Sequence, residues 1–264
     1  MGVSHDQVAK PNGNQCLANI PHNHGLSRPE HQPMPSPTPA AATATPRLFW
    51  GLLALALLAA LVPTVFPALD LAAAGLFTGA QPTIASGNWW WVQGINLYVP
   101  AIFRGMLALC FVGWLWATFS PRWKRYRLPL AFVVLAGIVG PGVVVNAGFK
   151  DNWARARPYQ VENFGGTQQF TRAAVITDQC DNNCSFVSGH VACGFFLATL
   201  MLVHRRRQTA WAVVGTLSGL VIGFARMSDV AHWLSDVLWA YPITLVSSWL
   251  VWRAVQWAYQ RYAP

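Results

Sequence analysis

Three features of the sequence predict an all-α integral membrane protein, a bundle of six spanning helices. Apolar residues gather in long runs instead of alternating along the chain. Charged residues make up 10% of the chain, where a soluble domain carries about a quarter. The 18 Lys and Arg residues, set against 9 Asp and Glu, sit in short clusters between the apolar runs, as in chains whose loops orient membrane helices. A nucleic-acid-binding protein is also basic, but it gathers its cations into one patch or stripe. This chain does not, so no nucleic-acid partner is expected and the bilayer is.

The first 46 residues are rich in Pro, Asn, His and Ala and lack apolar periodicity. Such a segment buries too little surface to offset its chain entropy. It is read as a disordered cytoplasmic tail (1–46) ahead of a membrane domain (47–264). His5, His22, His24 and His31 within it are read as solvated residues, not metal ligands. The first apolar run begins only at Leu48, too deep and too long for a cleaved signal peptide, and is read as a signal anchor.

The expected spans are 48–69, 97–119, 128–149, 186–203, 209–225 and 233–252, each close to or slightly short of the ~20 residues that cross a bilayer. Arg122, Lys124, Arg125 and Arg127 crowd the second connection. Arg205, Arg206 and Arg207 crowd the fourth, Arg253 and Arg261 follow the last span, and residues 70–96 hold no Lys or Arg. The positive-inside rule then places both termini and the two basic turns in the cytoplasm. By alternation, residues 70–96, the loop 150–185 and the turn 226–232 lie outside. Trp89, Trp90 and Trp91 suit an outer interfacial belt. Arg104 is expected inside the second span near its outer end, snorkelling to the headgroups; contact with an anionic substrate is the alternative.

Of the five cysteines, Cys180 and Cys184 share one polar loop. They are disulfide candidates if that loop faces an oxidising compartment, although so short a spacing can forbid the geometry. No Cys/His pattern suggests zinc, and no metal or other cofactor is expected.

Three outward segments hold the polar residues that suit chemistry. Lys150 to Pro158 ends the third span, Ser185 to His190 opens the fourth, and Arg226 to Asp236 turns the fifth into the sixth. The topology, derived from other residues, puts all three on one face. Phosphoryl transfer spreads negative charge over the equatorial oxygens of the moving group, so fixed donors must surround it. Lys150, Arg157 and Arg226 supply three cations. The amides of Ser188 and Gly189 open a helix, which favours an anion, and the Ser188 hydroxyl adds a donor. His232 and Asp236, four residues apart, share a helical face. An Asp that fixes one imidazole nitrogen leaves the other free to attack. His232 is thus the candidate nucleophile, with Asp236 or Asp229 as its partner, and His190 the candidate general acid and base. A polar lock between helices would also place a His beside an Asp, but ionisable groups at membrane depth are costly and point to function.

These segments resemble the signature of the type 2 phosphatidic acid phosphatase superfamily: Lys, six residues, Arg-Pro; Pro-Ser-Gly-His; Ser-Arg, five residues, His, three residues, Asp. Lys150, Arg157 and Pro158 match the first part. Ser188, Gly189 and His190 match the second, with Val187 in place of Pro. Arg226, His232 and Asp236 match the third, with Ala225 in place of Ser, and this match implies Asp236, not Asp229, as the partner of His232. Neither departure removes a charged or titrating group. The resemblance covers about 48–252 and implies a six-span helical core with metal-independent hydrolysis through a phosphohistidine. Soluble relatives hold vanadate in the same pocket, as haloperoxidases, but long apolar spans imply a membrane substrate here.

Phe164-Gly165-Gly166, Cys180 and the stretch Asn183 to His190 are similar to the bacterial lipid A 1- and 4′-phosphatase branch. That likeness implies a lipid phosphate substrate, lipid A first, in a bacterial inner membrane with the site facing the periplasm and the loop 150–185 as a lid. Undecaprenyl diphosphate, phosphatidylglycerophosphate, transfer of the phosphate to another lipid, and a non-catalytic lipid-binding or transport role are the alternatives. A binding or transport protein has no need for both His190 and His232.

Overall fold

Proline and glycine decide where the apolar runs become helices and where they stop. A computed structural model describes residues 45–78 and 84–262. Residues 1–44 of the segment read as a disordered tail lie outside the described residues. Among the described residues the regular structure is helical, apart from one isolated bridge between Val161 and Gln168.

Helix α1 (Arg47–Val65) ends where Phe66 meets Pro67, because the residue before a proline is pushed out of the helical region. The expected first span, 48–69, is therefore cut short, and the chain restarts as the brief helix α2 (Ala68–Gly75). Helix α3 (Trp90–Phe119) runs 30 residues, about 45 Å, and starts well before the expected residue 97. Val92 is buried and Trp91 stacks on Phe224 at 5.9 Å, which draws the interfacial segment into the helix. Arg104 lies at the middle of α3.

A 3₁₀ turn carries Lys124 and Arg125 into α4 (Arg127–Gly137), which continues in a wider π-helical winding over Ile138–Lys150. Pro141 lies inside that stretch and lacks the N–H that a tight ladder requires; the Asn146 side-chain amide donates to its carbonyl at 2.7 Å. Helix α5 (Gly189–Thr199) with the turn Leu200–Leu202 stands where the fourth span is expected, and is shorter than the expected 186–203. Val191, Ala192, Phe195, Phe196, Ala198 and Met201 are all buried, as befits a helix that is apolar all round. Helices α6 (Gln208–Ser228) and α7 (Leu234–Tyr262) complete the bundle. Among the described residues five helical stretches are long and apolar enough to cross a membrane, and α5 with its turn is a shorter apolar helix beside them. The protein is a multi-pass membrane protein of all-α class.

Small residues let α5 and α6 approach closely. A Cβ added at Gly215 would overlap the backbone of Ala198, and one at Gly219 would overlap the Phe195 ring. Helix α7 packs against α1, α4, α5 and α6, burying Asp236, Ala240, Thr244, Leu245, Ser248 and Trp252. Leu55, Leu58, Ile102, Leu109, Val112 and Leu217 are exposed along the outside, the surface that lipid covers.

At the end of the bundle opposite the basic turns, distant segments are bonded together. Ser86 Oγ donates to Ser228 Oγ at 2.9 Å, and Trp233 Nε1 donates to the Ala156 carbonyl at 2.8 Å. A second small core of Ala74, Ala156, Val161 and Trp233 lies beneath the long loop. In that loop Gly165 has φ +90°, and a side chain at Gly166 would overlap the Gln160 backbone, which accounts for the Gly-Gly pair.

Candidate active site

The turn between α6 and α7 carries an imidazole inward. The Val230 N–H donates to Met227 O at 2.8 Å and the Ala231 N–H to Arg226 O at 3.1 Å, closing α6. His232 follows, 2% exposed, with Nδ1 3.5 Å from Asp236 Oδ2. Neither ring nitrogen has a hydrogen-bond partner among the described residues. Burial holds this imidazole far below its usual range, at about 3; Asp236 opposes the shift, while Arg226 and Arg157 reinforce it.

Asp236, in the first turn of α7, is held on both oxygens. Oδ2 accepts from the Trp233 N–H at 2.9 Å and from the Ser185 hydroxyl, and Oδ1 accepts from Arg155 Nη1 at 2.6 Å. Asp229, the competing partner for His232, instead accepts from Arg226 Nη1 at 3.2 Å.

Lys150, Arg157 and Arg226 are all buried. Arg157 and Arg226 both act electrostatically on Lys150, on His190 and on His232, so the three cations and two imidazoles share one neighbourhood. Among the described residues, none of the three cations has a buried carboxylate as its hydrogen-bond partner. Lys150 Nζ donates to Asn183 Oδ1 at 2.9 Å. Arg157 donates through Nε and Nη2 to the Asn183 carbonyl, at 3.2 and 2.7 Å. Arg226 bonds only the 38%-exposed Asp229, and its buried Nε has no partner among the described residues.

Ser188 caps α5; its N–H donates to Asp236 O at 3.3 Å, while its buried hydroxyl is unpartnered among the described residues. Gly189 lies so close to Asn146 that a Cβ would sit 2.7 Å from Oδ1. His190 Nε2 lies 3.1 Å from the Asn96 carbonyl. A carbonyl only accepts, so Nε2 carries the proton in this arrangement. His190, Gly189 and Lys150 line the mouth of a cavity of about 460 Å³ that runs down between α3 and the π-helical stretch and includes Arg104. All the residues singled out from the three sequence segments thus stand at one end of the bundle.

Five neighbours of these groups were not singled out from the sequence: Asp70, Asn96, Arg155, Asn183 and Ser185. Arg155 is fully buried; it donates to Asp236 and Ser235 through Nη1, to Asp70 Oδ2 through Nη2 at 2.8 Å, and to Thr171 O through Nε at 2.9 Å. The rings of Trp233 and Phe170 flank its guanidinium, 5.3 and 5.8 Å away. Asp70 also accepts from the Ser235 N–H and hydroxyl, at 2.8 and 2.6 Å. The available signal was a lone carboxylate in an apolar stretch at position 70 and a third basic residue between Lys150 and Arg157, since charges at such positions require partners. Asn183 is held in the left-handed region, φ 49°, within the short loop closed by a Cys180–Cys184 disulfide with Cα atoms 5.7 Å apart. Among the described residues no three His, Cys, Asp or Glu side chains converge as metal ligands would.

A helical membrane bundle with a cationic pocket and paired imidazoles at one end defines a class of enzymes acting on phosphoric esters at membranes. The chain belongs to the PAP2 superfamily, which matches residues 128–260. It is 33% identical over 194 residues to a lipid A 4′-phosphatase of Francisella tularensis subsp. novicida (strain U112), covering 71% of this chain and 86% of that protein. A lipid A 4′-phosphatase of Rhizobium leguminosarum is 34% identical over 131 residues, 49% of this chain and 55% of its own length. One from Rhizobium etli is 31% identical over 179 residues, 66% and 68% of the two chains. No solved structure matches the chain significantly. The protein is accordingly a phosphatase, a hydrolase of phosphoric esters, related to the lipid A phosphatase branch of its family.

Proposed function

We propose that this is a metal-independent lipid phosphatase that cleaves a phosphate monoester or diphosphate, on lipid A, through a phosphohistidine. One observation carries this. Three buried cations, none with a buried carboxylate as hydrogen-bond partner among the described residues, stand at one end of the bundle. Two of them, Arg157 and Arg226, act on an imidazole whose ring nitrogens bond no described residue. Buried charge of one sign calls for a counter-ion, and a phosphoryl group supplies it. The names of the relatives support lipid A as the lipid.

In the first step His232 Nε2 attacks phosphorus and the P–O bond to the lipid breaks. His190, protonated on both ring nitrogens, keeps Nε2–H on the Asn96 carbonyl, passes its other proton to the departing oxygen and becomes neutral. Lys150, Arg157, Arg226, the Ser188 hydroxyl and the Gly189 N–H hold the equatorial oxygens. Asp236 compensates the positive charge that phosphorylation puts on the imidazole. In the second step water gives a proton to His190 as its oxygen attacks phosphorus. The N–P bond breaks, inorganic phosphate leaves, and His232 is neutral again.

The site faces the periplasm of a bacterial inner membrane on this proposal. The cation clusters at the opposite end of the bundle support that orientation, as does a disulfide on this side, since such bonds persist in oxidising compartments. Residues 47–264 are then the phosphatase domain, 1–46 a cytoplasmic tail, and the loop 150–185 a lid over the headgroup.

The test uses purified protein in detergent with chelator, lipid A, and radiolabelled phosphate at the cleaved position. Release of inorganic phosphate and an acid-labile, alkali-stable phosphoenzyme are expected, both lost in His232→Ala. Turnover that survives that substitution refutes the nucleophile, and turnover abolished by chelator refutes the metal-free mechanism.

A further inference from the structure

Arg104 is the remaining cation of the cavity that opens at His190. It lies at the centre of α3, is exposed, and makes no hydrogen bond or ion pair with any described residue, yet it lines the same cavity as Lys150 and His190. An arginine at the middle of a spanning helix is costly unless something polar meets it. Asn96, whose carbonyl meets His190, is eight residues earlier on α3, which puts the Arg104 backbone about 12 Å deeper. Helical side chains lean toward the N-terminus, here the end that carries the pocket. The guanidinium is thus aimed at the level between the phosphate cradle and the hydrocarbon. Below it the cavity walls are apolar at Leu107 and Ile138. Those two residues also open a second cavity of about 560 Å³ that continues past Phe111 and Trp114.

We infer that Arg104 is a specificity-determining residue that donates to the oxygen atoms linking headgroup to chains in the substrate, ester or amide carbonyls or chain hydroxyls. The chain beyond those oxygens occupies the apolar cavity. Phosphorylated lipids with acyl linkages offer such acceptors at that depth. A polyisoprenoid phosphate offers none, because its chain is pure hydrocarbon. Arg104 therefore favours acylated lipid phosphates over polyisoprenoid ones. The inference rests on the phosphatase reading above and adds to it the residue that selects for linkage oxygens.

The experiment compares kcat/KM for dioctanoyl phosphatidic acid and farnesyl phosphate, two short amphiphiles that differ in linkage oxygens, with p-nitrophenyl phosphate as a chainless control. Arg104→Ala and Arg104→Gln are expected to lower kcat/KM for the diacyl substrate about tenfold, the worth of one hydrogen bond to a charged group. Farnesyl phosphate and p-nitrophenyl phosphate should be turned over as by the wild type, which also shows that the variants fold. Arg104→Lys should recover part of the diacyl activity. An equal fall on all three substrates, or no fall on any, overturns the inference while leaving the phosphatase reading standing. Wild-type protein that releases phosphate from none of them overturns the inference, and only if it also leaves lipid A intact does the phosphatase reading fall.

Discussion

Arg155 Nη1 donates to Asp236 Oδ1 over 2.6 Å, and neither side chain is exposed to solvent. Asp70 neutralises the other arm of the same guanidinium at 2.8 Å. The triad therefore links a short helix near the start of the membrane domain to the carboxylate beside His232. Its internal compensation contrasts with Lys150 and Arg157, which rest on the neutral oxygens of Asn183. One set of buried charges has its counter-charges within the protein, one guanidinium to two carboxylates, whereas the other rests on neutral oxygens.

Removing the guanidinium strands two buried carboxylates. Arg155→Ala should destabilise the protein by about 3–5 kcal/mol and abolish phosphate release. Arg155→Lys restores the charge but not the planar fork that spans Asp70 and Asp236, so turnover should stay well below the wild-type rate. Thermal unfolding in detergent and phosphate release measure the two effects. A lysine variant with wild-type kcat would show that the fork is dispensable.

Asn183 has a left-handed backbone, a conformation that asparagine and glycine tolerate better than alanine. Asn183→Gly and Asn183→Ala both delete the acceptor for Lys150, so their difference isolates the backbone. The alanine variant should be the less stable by about 1 kcal/mol. Equal melting temperatures would mean that the loop relaxes to another conformation.

Acid should weaken the fold through His232. In the unfolded chain an imidazole titrates near 6.5, and in the folded protein burial lowers this one to about 3. Between those values the unfolded state binds more protons, so stability falls as pH falls, by at most about 1.4 kcal/mol per pH unit from this group. Wild type should lose melting temperature relative to His232→Asn as pH drops from 7 to 4. A constant gap between the two across that range would contradict the buried neutral imidazole.

Helix contact gives a stability contrast between two glycines. A side chain at Gly215 meets the Ala198 backbone, whereas one at Gly51 meets nothing within 4 Å. Gly215→Ala should destabilise by roughly 1–3 kcal/mol, while Gly51→Ala, in an open helical position, should be neutral or stabilising. Comparable melting temperatures for the two would refute close α5–α6 packing.

The sequence by itself determined the all-helical membrane architecture and nominated the pocket's charged residues. Apolar run length and cation clustering are one-dimensional signals that lipid solvation imposes on any chain crossing a bilayer. The spacing of Lys150, Arg157, Ser188, His190, Arg226, His232 and Asp236 is likewise legible along the chain. Helix limits were less so: the Phe66–Pro67 break and the early start of α3 depend on local sterics and on Trp91 finding Phe224. Spacing alone left two carboxylates open for His232, and only the tertiary structure decided what holds the one that faces it. Asp229 and Asp236 both have helical spacing to that imidazole, and the choice is made by Arg155, Asp70, Ser185 and the Trp233 amide, which arrive from four separate stretches of chain. Such partners leave no periodic trace, because a buried charge needs a neighbour in space and sets no condition on its distance in sequence.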